Sequence, residues 1–316
     1  MKLCKVVKPG IFTTVQDLGR HGYQRYGVPT SGAMDSFAFV TANLLVGNEP
    51  ADAGLEITLV GPELTLLDDT QIAITGANLS PTINGCPVAQ WQTLQVCKTD
   101  VLSFGRLKSG CRTYLAVRGG IAVPIVMNSR STYIYGKFGG FQGRQLRTGD
   151  IIKAYDSPTS KSRLIMPSRL IPQYASELTV EVVSGPQLTY FTQLGIETFF
   201  SSSYAATPEF DRIGYRLDGP EIEKGNLSAM ISDAVPVGAV QVPSNGKPIV
   251  VMRDAQTTGG YPKIAIVTTP CVSRLGQVKP NDRVKFSEIS LSNAQKRLIE
   301  YGAALSQIKR NLVELA

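Results

Sequence analysis

Residues 247–269 read KPIVVMRDAQTTGGYPKIAIVTT. Two runs rich in Val and Ile, 249–252 and 263–268, flank a loop that holds Arg253, Asp254, Gln256, Thr257, Thr258, Gly259, Gly260 and Tyr261. Short β-branched runs bounded by Gly, Pro and polar clusters are strand signals. A hairpin loop takes about two to five residues, and this one takes about ten, rich in hydrogen-bonding side chains and glycines. The excess favours a ligand site over a long solvated turn. Asp254 can take a proton or hold a cation, Gln256 can donate and accept, and Gly259-Gly260 lets backbone N–H groups approach an oxyanion. Lys263, on the exit strand, is a counter-charge.

The same signature recurs outward from this stretch. Residues 55–60, 63–67, 71–75, 112–117 and 178–183 are short and rich in Val, Ile, Leu and Thr, with Gly61-Pro62, Asn84-Gly85, Gly185-Pro186 and Asn245-Gly246 as punctuation. This pattern predicts a mainly β, antiparallel protein with few helices. One helix is expected over 32–45, with Ser31 as cap and Gly47 as stop. Another is expected at the C-terminus, where Ala294, Leu298, Tyr301, Leu305, Ile308, Leu312 and Leu315 recur at four- and three-residue steps. Residues 157–177, with three prolines and five serines, read as a linker. The domains are therefore placed at 1–160 and 161–316. A Gly-Pro-x-Leu-Thr string at 61–65 and again at 185–189 hints at two copies of one plan.

Composition removes several function classes. The chain has 316 residues, 43% hydrophobic and 18% charged, so it is neither disordered nor a polycationic tail. With one histidine, His21, it has no multi-His metal site and little room for a Ser-His-Asp triad. Its five cysteines form no C-x-x-C pair. No metal site is expected, and reduced thiols with no signal peptide or membrane span point to a cytoplasmic protein. The net charge of +7 is local: residues 98–169 carry +10, against −3 for 1–97 and zero for 170–316. That field suits a small anionic substrate or an acidic partner surface better than nucleic acid, for which no aromatic-basic array is present.

Three further stretches carry chemistry. Residues 13–35, TTVQDLGRHGYQRYGVPTSGAMD, bring Gln16, Asp17, Arg20, Ser31 and Asp35 to a glycine-rich entry into the first helix, a place where backbone N–H groups favour an anion. His21 there reads as a surface or packing residue. Residues 118–147 combine six glycines with Arg118, Arg130, Lys137, Arg144 and Arg147, at a spacing that matches neither a Walker loop nor a dinucleotide fingerprint. An anion site and a solvated face are evenly balanced there. In residues 208–220, PEFDRIGYRLDGP, Asp211 and Arg212 either fix a turn or belong to a site.

Taken in order, TTVQDLGRHGYQRYGVPTSGAMD, GLEITLVGPELT, GGIAVPIVMNSRSTY, FDRIGYRLDGP, GAVQVP and QTTGGYPKIA resemble the allophanate hydrolase subunit 2 family, whose members are also described as the C subunit of 5-oxoprolinase. The resemblance runs from about Thr13 to about Phe286. It implies two cyclophilin-like β-barrel domains with a few helices, and a partner, the 5-oxoprolinase B subunit, which resembles allophanate hydrolase subunit 1. With a third component, the A subunit, the pair is implied to open 5-oxoproline to glutamate with hydrolysis of ATP, a cosubstrate whose site is the complex's. Fused relatives form the carboxyltransferase part of biotin-dependent urea carboxylase, and a related pair is a kinase inhibitor and its non-catalytic antagonist. By position, the resemblance gives catalytic candidates Asp254, Gln256, Tyr261, Lys263, Asp211 and Arg212. Substrate-binding candidates are Thr257, Thr258, Gly259, Gly260, Gln241, Gln16, Asp17, Arg20, Ser31 and Asp35. Two departures stand out. A Ser-Asp-Arg-Met-Gly string reads Phe210-Asp211-Arg212-Ile213-Gly214, and a Ser-Glu-Gly string reads Ser232-Asp233-Ala234. No Ala-Met-Lys-Met string for biotin attachment is present.

Overall fold

The computed structural model describes residues 1–158, 160–225 and 230–314. The chain divides into two compact units: Met1–His21, Ser31–Tyr174 and Ala304–Ala316 form one, Gly22–Thr30 and Ala175–Ala303 the other. The division lies near the Pro- and Ser-rich stretch but does not follow chain order. A nine-residue strap from the N-terminal half belongs to the second unit, and the helix Leu291–Asn311 passes from the second unit into the first.

The second unit is built on a closed barrel of seven strands. Their order is Glu177–Ser184, Lys263–Val267, Ala239–Gln241, Ile249–Val251, Gly214–Asp218, Ser203–Phe210 and Arg283–Glu288. The barrel closes through a parallel pair, with Val180 opposite Phe286 and Val182 opposite Glu288. Strands Glu177–Ser184 and Arg283–Glu288 alternate buried and exposed side chains at their starts. A one-residue slip would turn Val180, Val182 and Val284, all fully buried, out to solvent. The helix Gln193–Ser201, capped by Thr192 through the Gly195 N–H, adds Phe199, whose ring stacks on Phe286 at 4.5 Å and 22°.

This topology corrects the reading of residues 247–269. The two Val- and Ile-rich runs are strands, Ile249–Val251 and Lys263–Val267, but they are not a hairpin. Ala239–Gln241 lies between them and pairs with both, Val240 facing Val250 on one side and Ala265 on the other. The connecting loop is long because it must step over the end of an intervening strand.

The first unit is built on two large sheets, with Leu164–Ile165 and Val313–Glu314 forming a further two-stranded one. Six strands run in the order Ile151–Lys153, Lys2–Lys8, Glu63–Leu66, Val101–Phe104, Pro81–Ile83, Cys86–Pro87, and five in the order Phe12–Gln16, Gly54–Thr58, Ser109–Val117, Thr70–Asn78, Thr93–Val96. Val6, Leu64 and Leu102 from one sheet meet Leu55, Ile57 and Ile74 from the other in a single core. The helix Ser36–Leu45 packs on the five-stranded sheet, its Phe39 ring edge-on to Tyr114 at 5.8 Å. It starts later than expected. Asp35, not Ser31, is the cap and accepts from the Ala38 N–H, while Ser31 has a left-handed φ of +52° that ends any helical path before it. The C-terminal helix forms as expected, and within the first unit its Ile308 packs on Val40 and Leu44. Leu315, the last residue of its apolar pattern, lies outside the described residues. The repeated Gly-Pro-x-Leu-Thr string has no common structure: Glu63–Leu66 is a strand, Leu188–Tyr190 a single 3-10 turn.

Among the described residues no helix is long and apolar enough to cross a membrane, and no cluster of His, Cys, Asp or Glu can hold a metal ion. Cys4, Cys111 and Cys271 are buried thiols, and burial pushes the Cys4 thiol up to about 12. Replacing Phe199 with Ala removes the largest side chain from the helix–barrel contact and should cost about 3–5 kcal/mol. Urea denaturation checks this as a lowered midpoint; an unchanged midpoint would show that the helix does not support the barrel.

Candidate functional site

The site candidates fall into two sets, one in each unit. In the second unit the turn after Ser203–Phe210 and the loop after Ile249–Val251 lie side by side. The Asp254 N–H donates to the Arg212 carbonyl and the Met252 N–H to the Ile213 carbonyl, both at 2.7 Å. This brings Arg212 and Asp254, 3% and 2% exposed, into a two-pronged ion pair: Nε to Oδ2 at 2.9 Å and Nη2 to Oδ1 at 3.1 Å. Each carboxylate oxygen of Asp254 accepts one of these bonds, which makes it the counter-ion of a buried guanidinium; of the two roles its loop suggested, proton acceptor or holder of a cation, this geometry displays the second. Asp211 is exposed and does not pair with its neighbour; its Oδ1 accepts the Ile213 and Gly214 N–H groups and shapes the turn that directs Arg212 inward.

Lys263 has a different surrounding. Its side chain is 1% exposed, yet Nζ donates to Asp233 Oδ2 at 2.8 Å, and Asp233 is 52% exposed. Nζ also donates to the Ala234 carbonyl at 2.9 Å. Asp233 Oδ2 accepts in addition from Gln187 Nε2 at 3.1 Å, and Oδ1 from the Ala234 N–H at 2.7 Å. The Lys263 ammonium, the Ala234 N–H and the Gln187 amide together hold the Asp233 carboxyl below the usual carboxylate range. Gln187 reaches this place because Gly185 sits where a Cβ would lie 2.1 Å from the Lys263 carbonyl. Gln241, 2% exposed, lies across Gly259, where a Cβ would come within 3.0 Å of its Nε2. Thr258–Gly259 pairs with Asp233–Ala234 in a two-residue ladder. Gln256, Thr258, Gly260 and Tyr261 are exposed and Thr257 is half-buried, so the loop offers an accessible rim around a buried cation.

Sequence reasoning missed Gln187 and gave Asp233 no role. Gln187 sat inside the apparent repeat. The signal for Asp233 was an ammonium on an apolar strand: a lysine buried there requires a counter-ion, and none lies within its own loop once Asp254 is committed to Arg212.

In the first unit, Gln16, Asp17, Arg20 and Asp35 each make contacts within the unit. Asp17 accepts from Ser129, from Ser131, from the Arg130 N–H and from the Gly19 N–H. Arg20, fully buried, donates to the carbonyls of Ser131 and Val126 and lies over the Phe138 ring at 4.8 Å. Gln16 bridges Thr14, the Thr132 carbonyl and the Gly32 N–H. Asp35 caps its helix and accepts from the Tyr174 hydroxyl at 3.0 Å. Ser31 is fully buried, and its hydroxyl oxygen has no partner among the described residues. His21 is exposed. The Gly- and Arg-rich stretch is also knitted internally. Arg144 chelates Asp150 at 2.7 and 2.9 Å, Arg118 donates to the Val46 and Pro158 carbonyls, and a Cβ at Gly139, Gly140 or Gly143 would strike neighbouring atoms at 1.8–2.1 Å. These glycines serve close packing, and the stretch presents no open phosphate cradle.

Two outcomes check this geometry. Asp254→Ala leaves the Arg212 charge buried without its carboxylate and should lower stability by about 3–5 kcal/mol, read as a fall in thermal midpoint; wild-type stability would show that the pair is not buried in solution. The Asp233 carboxyl, followed by carbon NMR, should titrate below the ordinary value of about 3.9 and return toward it in Lys263→Met. Because the folded value is the lower one, this contact contributes stability above the ordinary carboxylate range and loses it as pH falls through the folded value.

The carboxyltransferase domain family, subdomain A and B, matches residues 26–288. The C subunit of 5-oxoprolinase from Escherichia coli is 36% identical over 295 residues, covering 93% of this chain and 94% of its own length. The urea amidolyase of Lachancea kluyveri is 35% identical over 96% of this chain, but the match spans only 18% of that protein. The solved urea carboxylase of Kluyveromyces lactis superposes with a TM-score of 0.91 at 32% identity, over the whole of this chain and 30% of the other. This chain thus spans about a fifth to a third of these larger proteins and nearly all of the bacterial one, and it belongs to the carboxyltransferase domain A and B family.

Proposed function

We propose that this chain is the C subunit of an ATP-dependent 5-oxoprolinase of the cytoplasm, working with a B subunit and a third, A subunit to open 5-oxo-L-proline to L-glutamate. The observation that carries this reading is the end-to-end match to a free-standing 5-oxoprolinase C subunit, 94% of that protein's length, where the urea amidolyase match is a small part of a fused chain. The barrel-mouth chemistry supports it. 5-Oxoproline carries a carboxylate and a lactam, and Lys263, Gln187 and the Gly259-Gly260 N–H groups are donors suited to a carboxylate and to an oxygen that gains negative charge.

A lactam carbonyl is a poor electrophile. Transfer of the γ-phosphoryl group from ATP to its oxygen, with departure of ADP, makes the carbon open to water; the C–N bond then breaks as the ring nitrogen takes a proton, and a second water hydrolyses the resulting acyl phosphate to the carboxylate and inorganic phosphate. ATP is assigned to the assembly, since the glycines of residues 118–147 are packed against neighbouring atoms. This chain's residues hold the substrate: Lys263 neutralises its charge and Gln187 donates to it, Gln241 donates to the Tyr261 carbonyl, Thr257, Thr258, Gln256 and Tyr261 form the rim, and the Arg212–Asp254 pair keeps the loop in place.

A second reading, carboxyl transfer from a biotin borne on another chain to a urea-like amide, is favoured by the superposition on urea carboxylase. Single-turnover phosphate release by the purified B and C pair with the A subunit separates them. Stimulation by 5-oxoproline is expected, with Lys263→Met lowering kcat/KM by about a hundredfold or more. No stimulation by 5-oxoproline, together with urea-dependent consumption of carboxybiotin, would replace the first reading with the second; partner binding without turnover in either assay would leave a non-catalytic antagonist.

A further inference from the structure

Lys263 and Asp233 are an unequal pair. The ammonium is sealed in the barrel at 1% exposure, whereas the carboxylate that neutralises it is 52% exposed and reaches in from the rim. Asp233 lies just before an anchored stretch: Lys263 Nζ donates to the Ala234 carbonyl at 2.9 Å, and Val235 is buried with Ala239, Val251 and Ala255. The two-residue ladder Asp233–Ala234 with Thr258–Gly259 and the Val235 N–H to the Thr257 carbonyl at 2.9 Å tie it to the loop. Ser232 and Ile231, just before it, are exposed, Ile231 at 89%. Gly260 lies next to it: a Cβ there would meet the Met230 carbonyl and the Ser232 hydroxyl in ordinary contact at 3.7 Å.

Of the donors on the Asp233 carboxylate, the Ala234 N–H belongs to its own segment, but Lys263 Nζ and Gln187 Nε2 belong to the barrel strand and to the 3-10 turn region beside it. If the Asp233 side chain turns outward while Ala234 keeps its place, a cation and an amide donor remain to receive another carboxylate. Burying the Lys263 ammonium without an anion costs several kcal/mol, so the place does not stay empty of negative charge.

We propose that Asp233 is an internal stand-in for a substrate carboxylate, which displaces it from Lys263 and Gln187 on binding. This rests on the reading of the barrel mouth as the substrate site and sharpens it: the ligand class is a small monocarboxylate, and a neutral amide such as urea has no group able to take the place of Asp233. The Asp233 side chain then acts as a gate whose release is exchanged for substrate binding.

The test uses the full chain with acetate as probe, its affinity measured by thermal shift and by acetate NMR line broadening against chloride at matched ionic strength. Asp233→Ala should bind acetate about tenfold more tightly than the wild type, since the internal competitor is gone. Asp233→Asn, which keeps the side-chain size and the acceptor for the Ala234 N–H, should shift the same way and serves if the alanine variant does not fold. Adding Lys263→Met to either should abolish the gain. Equal affinities in wild type and variants, or a gain that survives Lys263→Met, overturn the proposal. A gain in acetate binding with no phosphate release on 5-oxoproline supports the carboxylate site while overturning the 5-oxoprolinase reading; intact release with equal acetate affinities overturns the stand-in alone.

Discussion

Burying a guanidinium demands a carboxylate facing it, and around Arg212 that demand sets the path of two distant segments. An ionised group taken out of water costs several kcal/mol unless it is paired and hydrogen-bonded, so Arg212 at 3% exposure requires Asp254. The requirement is met by a turn shaped by Asp211 and by two backbone hydrogen bonds between residues 212–213 and 252–254. Once that loop is pinned, its continuation through Gln256 to Tyr261 must run along the barrel end, where it meets Gln241 and the Asp233–Ala234 strand. A stability device thereby positions the polar rim.

The same constraint operates in the first unit. Asp17 collects four donors and Arg20 commits its guanidinium to two carbonyls and an aromatic face, which holds residues 126–140 against the end of the strand Phe12–Gln16. Glu56, also fully buried, accepts from the Tyr114 hydroxyl at 2.9 Å and the Met34 N–H at 2.8 Å, and Tyr114 in turn accepts from the Asp35 N–H. These charges are held by short local contacts around the approach to the first helix, where the buried Ser31 hydroxyl has no partner among the described residues.

Much of the fold was legible because strand signals depend on local composition. Residues 178–183 and 263–268 carry β-branched side chains at a period that only a pleated, half-buried backbone satisfies, and they form strands close to those limits. Adjacency is not local. Nothing within 247–269 announces that residues 239–241 will lie between its two strands, since that is decided by barrel closure through a parallel pair far apart in the chain. The helix start differed for a related reason. Ser31 and Asp35 are both good caps in isolation, but Gly32 lies so close to the Leu18–Gly19 peptide that a Cβ there would come within 2.8 Å of Gly19, and the backbone at Ser31 turns left-handed to make that approach. At the site, residue types were legible and pairings were not. Lys263 was found as a counter-charge, but its partner lies 30 residues away on a segment with no strand signal of its own.

The contrast between the two buried cations of the barrel carries the functional argument. Arg212 is matched by a carboxylate as buried as itself, through two hydrogen bonds that fix both partners, an arrangement that gains nothing by opening. Lys263 is matched by a half-exposed carboxylate on a two-residue strand, next to glycines. A point-charge ammonium, unlike the planar fork of arginine, accepts a replacement anion without an orientational penalty. Solvent competes for the Asp233 end of the contact and not for the Lys263 end, so exchange of one carboxylate for another changes little in the desolvation already incurred by the lysine. Under the proposed exchange, specificity follows from charge: an anion small enough to pass the rim formed by Thr258, Gly260 and Tyr261 would restore the pairing, whereas a neutral molecule would have to leave Asp233 in place or leave the ammonium without a counter-ion.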